Sequence, residues 1–132
     1  MTGLLFVRYP DNTGPHVGHL WDSSGNMLAE ATLASTGDAF PYIRFAHPVP
    51  ILAGFEYTVS YYTPTGHYAS SEFYFPPIGG RWWPMGPSYH QYGDGYTWDY
   101  GAGVYHYGEG GGWPNQSWHN SNYWVDPVFT TS

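Results

Sequence analysis

The sequence predicts an all-β fold, an antiparallel β-sandwich of jelly-roll or immunoglobulin-like type with long aromatic-rich loops. Three observations point there. Apolar residues alternate with period two, and no stripe recurs every ~3.6 positions as an amphipathic helix requires. Short runs of β-type residues are bounded by turn signals. With 18 Gly and 12 Pro in 132 residues, the backbone is punctuated too often for long helices. The length suits a single domain, 1–132.

The runs are Leu4–Tyr9, Val17–Asp22, Met27–Leu33 and Tyr42–Ala46, then Phe55–Tyr62, His67–Phe75, Val104–Tyr107 and Tyr123–Thr130. In the third, Met27, Ala29, Ala31 and Leu33 form one face, and Glu30 and Thr32 belong to the other. Ile43 and Phe45 flank Arg44 in the same way. The fifth run is the most regular: Phe55, Tyr57, Val59 and Tyr61 alternate with Glu56, Thr58 and Ser60. Asp22-Ser23-Ser24-Gly25-Asn26 reads as a hairpin connection with Gly25 at positive φ, and Thr63-Pro64-Thr65-Gly66 as a second turn.

Composition excludes several classes. Aromatic residues make up 21 % of the chain, enough apolar surface to offset chain entropy, so disorder is not expected. The net charge is −7 and the only cations are three arginines, which cannot drive counterion release from nucleic acid. There is no cysteine, and no apolar run approaches the ~18 residues of a membrane span. The opening Met1–Tyr9 lacks the basic start and long apolar stretch of a signal peptide. A leaderless start suits a phage virion component.

Two stretches, 76–103 and 108–122, lack alternation and read as loop insertions. They hold Trp82, Trp83, Trp98, Trp113 and Trp118 beside Tyr92, Asp94, Asp99, Gln116 and Asn120. Indole and phenol rings stack on the C–H faces of sugars while amides and carboxylates take the hydroxyls, so these residues are candidate glycan contacts. The same rings would serve a subunit interface, or pack together beneath the loops.

Metal and catalytic signals are sparse. His16 and His19 lie three apart, which on a strand sends them to opposite faces, and no zinc spacing occurs. Asp11 and Asn12 offer oxygen ligands for a structural calcium, although Asp11–Gly14 equally suits an Asx turn. Asp94 with Asp99, or Glu109 with Asp126, could form a carboxylate pair. No nucleophile elbow, phosphate loop or cysteine nucleophile accompanies them, so no enzyme is expected.

Asn12-Thr13-Gly14-Pro15-His16-Val17-Gly18-His19-Leu20-Trp21 resembles the Gly-x-His-x-Gly-x-Leu-Trp signature of a bacterial and phage β-sandwich family, the domain of unknown function numbered forty eighty-two. Ala53–Tyr61, Gly66–Ala69, Gly103–Gly108 and Asn122–Phe129 follow in the family's order, so the resemblance spans residues 2–75 and 101–130. It implies a sandwich attached to secreted, cell-surface or virion proteins, with no assigned catalytic residue. The family usually opens with one further strand, which would leave Leu4–Tyr9 as an open edge. Leu4, Phe6 and Arg8 are then interface candidates for strand addition by another copy or another subunit. Pro127 suggests that the last strand also lies at an edge.

The expected role is therefore a non-catalytic glycan-binding module on a cell surface, in the extracellular space or on a virion. The alternative is a structural assembly protein, such as a phage decoration, tail or fibre component or a surface filament subunit.

Overall fold

The computed structural model describes residues 1–34, 36–71, 89–92, 95–98, 104–109, 111–117, 121 and 123–130. Its described elements are all strands. β1 (Gly3–Phe6), β4 (Tyr42–Arg44) and β10 (Val125–Val128) form one antiparallel sheet in the order β10-β1-β4. β2 (His16–Asp22), β3 (Met27–Leu33) and β5 (Tyr57–Tyr62) form a second, ordered β3-β2-β5.

The two sheets close on one apolar core. Leu4 and Phe6 from β1, Ile43 from β4, Phe45, Met1 and Leu20 from β2 are buried together, and Ala29, Ala31, Leu33, Tyr57, Val59, Tyr61 and Val125 pack around them. The phenyl ring of Phe6 stacks on Tyr61 across the sandwich, with centroids 4.2 Å apart and planes 17° from parallel. Gly18 is small because the opposite sheet comes so near. A Cβ there would lie 2.9 Å from Leu4 Cδ2 and 3.0 Å from Ile43 Cγ2. The Gly of the His-x-Gly-x-Leu-Trp motif is thus the notch into which the first sheet's side chains fit.

Period-two alternation on β2 sends His16, Gly18 and Leu20 towards this core and His19 and Trp21 to the other face. Both faces of β2 are buried, so something covers the sandwich from outside.

Several expectations are corrected here. β1 is the central strand of its sheet, paired to β10 on one side and β4 on the other, so it has no open edge. Leu4 is 0 % exposed and Phe6 is in the core; neither presents a side chain to a partner. Arg8 is drawn back onto its own chain, donating from Nε to Asp38 O at 2.8 Å and from Nη1 to Asn12 O at 3.3 Å. Pro127 stands opposite Leu4 on β10, an end strand among the described residues, as a residue without an N–H allows. Phe55 lies before β5, with Gly54 at positive φ, and is 66 % exposed. Met27 also faces out: a register shift at Leu20/Trp21 breaks the alternation that keeps Ala29, Ala31 and Leu33 inward.

The stretches read as irregular contain pairing. β6 (Tyr89–Tyr92) and β7 (Gly95–Trp98) form a hairpin, and β8 (Val104–Tyr105) pairs with β9 (Gln116–Ser117). Among the described residues no helix is long and apolar enough to cross a membrane.

Candidate functional site

The outer face of the second sheet is built from cross-strand polar pairs. His19 Nε2 lies 3.1 Å from Glu30 Oε2 of β3, and Trp21 Nε1 donates to Ser60 Oγ of β5 at 2.8 Å. Onto this surface the chain lays the Gly111-Gly112-Trp113-Pro114 segment. Gly111 takes φ 77°, and a Cβ there would stand 3.2 Å from His19 Cε1. A Cβ on Gly112 would meet His106 at 2.8 Å. Glycine is needed because backbone rests directly on imidazole rings.

Beside that segment opens a cavity of about 410 Å³. Tyr61 and Tyr62 of β5, Tyr68, Tyr105 of β8, Tyr107 and Tyr123 line it, together with His19, His106 and Glu109. The rings meet edge to face: Tyr68–Tyr123 centroids are 5.7 Å apart, Tyr105–Tyr107 5.4 Å and Tyr105–Tyr123 6.2 Å, with interplanar angles of 64–67°. The Tyr68 hydroxyl is pushed up to about 12 by its hydrogen bond with Tyr107, and then by burial, so it stays neutral at physiological pH. Tyr107 is 73 % exposed and stands at the mouth.

Trp124 joins this cavity to the core. Its φ of 52° is a left-handed conformation that costs a bulky residue about 1–3 kcal/mol. The bend is held by Nε1 donating to Ser71 Oγ at 3.1 Å and by the Trp124 carbonyl accepting from Val7 N at 3.0 Å. It sits between Tyr123, at the cavity wall, and β10, which carries Val125 against the core.

The residues expected to bind ligand fall differently. Trp82, Trp83, Asp94 and Trp118 lie outside the described residues. Tyr92 ends β6 and Trp98 ends β7. Gln116 begins β9 and is exposed. Trp113 packs one face of its indole on the β2–β3 hairpin, where a Cβ at Gly25 would lie 2.5 Å from Trp113 Cε3. That face is therefore unavailable to a ligand. The hairpin is fixed by Asp22, whose carboxylate accepts from Ser24 N and Asn26 N at 2.9 Å each. Hydrogen bonds from Asn26 hold that carboxyl below the usual range.

Asn12 is a buried bracket. Its Oδ1 accepts from His16 Nε2 at 2.9 Å and from Thr63 Oγ1 at 2.6 Å, so this oxygen, expected as a cation ligand, is occupied by protein donors. Asp11 is exposed and lies 3.5 Å from His67 Nδ1. No group of three or more His, Cys, Asp or Glu able to hold a metal occurs among the described residues. Of the acids considered as a pair, Glu109 lines the cavity and Asp126 does not; Asp94 and Asp99 lie outside the described residues.

The His16 ring bonds the Asn12 side chain. Burial first, and the Arg8 charge second, hold its pKa below the ordinary value of 6.5. In the pH window just below ~6.5 the unfolded chain therefore binds more protons than the folded one. Stability should be fully present above about 6.5 and fall as the pH drops, until the folded ring also protonates. Thermal unfolding from pH 8 to 5 checks this, and His16→Gln should show a shallower slope.

A profile of the family described as Domain of unknown function (DUF4082) matches residues 1–125. The chain belongs to this family. The bounds of the DUF4082 match include residues 76–100, which the motif resemblance leaves out. It takes in the His16–Trp21 motif, the Asn12 bracket and every cavity tyrosine. No curated protein and no solved structure matches the chain.

Proposed function

We propose that this domain is a non-catalytic glycan-binding module, working outside the cell or on a virion surface, whose binding site is the tyrosine-lined cavity beside β5 of the β3-β2-β5 sheet. The observation that supports it best is the convergence of Tyr62, Tyr68, Tyr105, Tyr107 and Tyr123 on one cavity of about 410 Å³. Aromatic faces supply the apolar platform for a pyranose ring. Phenol hydroxyls, Glu109 and the histidines supply the directional contacts that sugar hydroxyls need.

A glycan array followed by calorimetry on the best ligand tests this. Tyr107→Ala removes a ring at the mouth and is expected to weaken binding about tenfold or more, and a thermal unfolding curve on the same variant checks that the fold persists without its contacts to Tyr68 and Tyr105. Unchanged affinity in that variant would place the ligand elsewhere.

The assembly reading keeps one supporting feature. Phe40, Leu52 and Phe55 are 70 %, 63 % and 66 % exposed, the kind of apolar surface that subunit contacts cover. Mass by light scattering addresses that reading, since it requires an oligomer.

A further inference from the structure

The cavity carries charge of one sign. No Lys or Arg occurs among its described lining residues, and Glu109 is their one carboxylate. Glu109 has no ion-pair partner among the described residues. The chain as a whole contains no lysine and only three arginines against ten acids. Of those arginines, Arg8 is engaged with the carbonyls of Asp38, Tyr9 and Asn12, Arg44 lies on β4 in the other sheet, and Arg81 lies outside the described residues. No lysine or arginine described at the cavity therefore offers a permanent counter-charge to an anionic ligand.

The tyrosines act in the same sense. An aromatic ring is negative over its face and positive at its edge. Edge-to-face contacts at 64–67° commit the edges of some rings to the faces of others, and set neighbouring ring planes steeply to one another around the cavity. Steeply set aromatic faces beside a carboxylate are the arrangement that binds a quaternary or protonated ammonium. A uronate or sulfate would instead meet Glu109 and the negative ring faces without a counter-charge.

We propose that the cavity recognises a positively charged ammonium group, carried on an amino sugar or as a choline-type substituent of a glycan, with the tyrosine faces enclosing the cation and Glu109 neutralising it. The sugar part of this inference rests on the glycan-binding reading; the cationic part rests on the lining alone.

Choline and 3,3-dimethyl-1-butanol have the same shape and differ in charge, so they isolate the ammonium. Titrations are run at pH 8 and low salt, where screening of a charged ligand is least. Choline is expected to bind at least tenfold more tightly than the neutral alcohol. Glu109→Gln, at an exposed turn, should remove about tenfold from choline and leave the alcohol unchanged. Equal binding of the two, or no response to choline, overturns the proposal.

Oligosaccharides separate the two sources and the two readings. N-trimethylated glucosamine oligomers binding more tightly than free choline would assign the ammonium to a sugar; equal affinity would assign it to a choline-type group. N-acetylated oligomers binding as tightly as the trimethylated ones would overturn the ammonium proposal while supporting the glycan reading. Choline binding with no oligosaccharide binding at all would support the ammonium site and overturn the glycan reading.

Discussion

Leu4→Ala is expected to lower the unfolding free energy by about 3 kcal/mol, within the ~2–5 kcal/mol range for truncating a fully buried leucine. Leu4 is 0 % exposed, its strand is flanked by β4 and β10, and its Cδ2 fills the notch above Gly18. Truncation empties that notch, and the neighbouring strands, hydrogen-bonded on both sides of β1, leave little room for collapse. Denaturant unfolding checks the size of the effect, with an unchanged dependence on denaturant concentration showing that the surface exposed on unfolding is the same. A loss under 1 kcal/mol would mean that β1 is not an interior strand. Leu4→Met, which keeps the volume, should cost under about 1.5 kcal/mol.

Asn12→Ala should cost nearly as much, about 2–4 kcal/mol, for a different reason. Asn12 is 0 % exposed, and its carbonyl satisfies the His16 ring N–H and Thr63. Removing it leaves a buried donor on His16 without an acceptor, which carries the full desolvation penalty of about 1–3 kcal/mol, and opens a small cavity besides. Thr63 suffers less, because its hydroxyl also lies 3.1 Å from His67 O and can turn to it. The double variant Asn12→Ala, Thr63→Val should therefore lose less than the sum of the two single changes. Full additivity, or a cost within 0.5 kcal/mol for Asn12→Ala, would show that the bracket does not hold the β2 entry to the β5 exit.

The alternation in β2 to β5 was legible because it reflects local geometry. Ala29, Ala31 and Leu33 face in, Ile43 and Phe45 flank an outward Arg44, and His16 and His19 part to opposite faces as their spacing requires. Errors arose where a longer-range event intervened. A bulge within β3, between Ala29 and Met27, turned Met27 outward, and the expectation of an open edge at Leu4 failed because β10, more than 115 positions away, supplies a partner.

The β6–β7 pairing is not legible in the sequence because its residues show no clear apolar and polar face. The cavity was less visible still. Its rings come from β5, from Tyr68, from 105–107 and from Tyr123, and no local pattern joins them. Trp113 has the chemical type of a ligand contact, yet its indole serves the hairpin at Gly25. The available signals were Gly111-Gly112, which marks backbone laid against rings, and Tyr105-x-Tyr107, which puts two phenols at one place.

The most direct test of the proposed site is an NMR titration of the protein with ring-labelled tyrosine, using the best ligand from the glycan array. The account predicts that shifts concentrate on Tyr68, Tyr105, Tyr107 and Tyr123, with Tyr42 on the other sheet unmoved. Shifts confined to tyrosines away from the cavity, with those four unchanged, would contradict it.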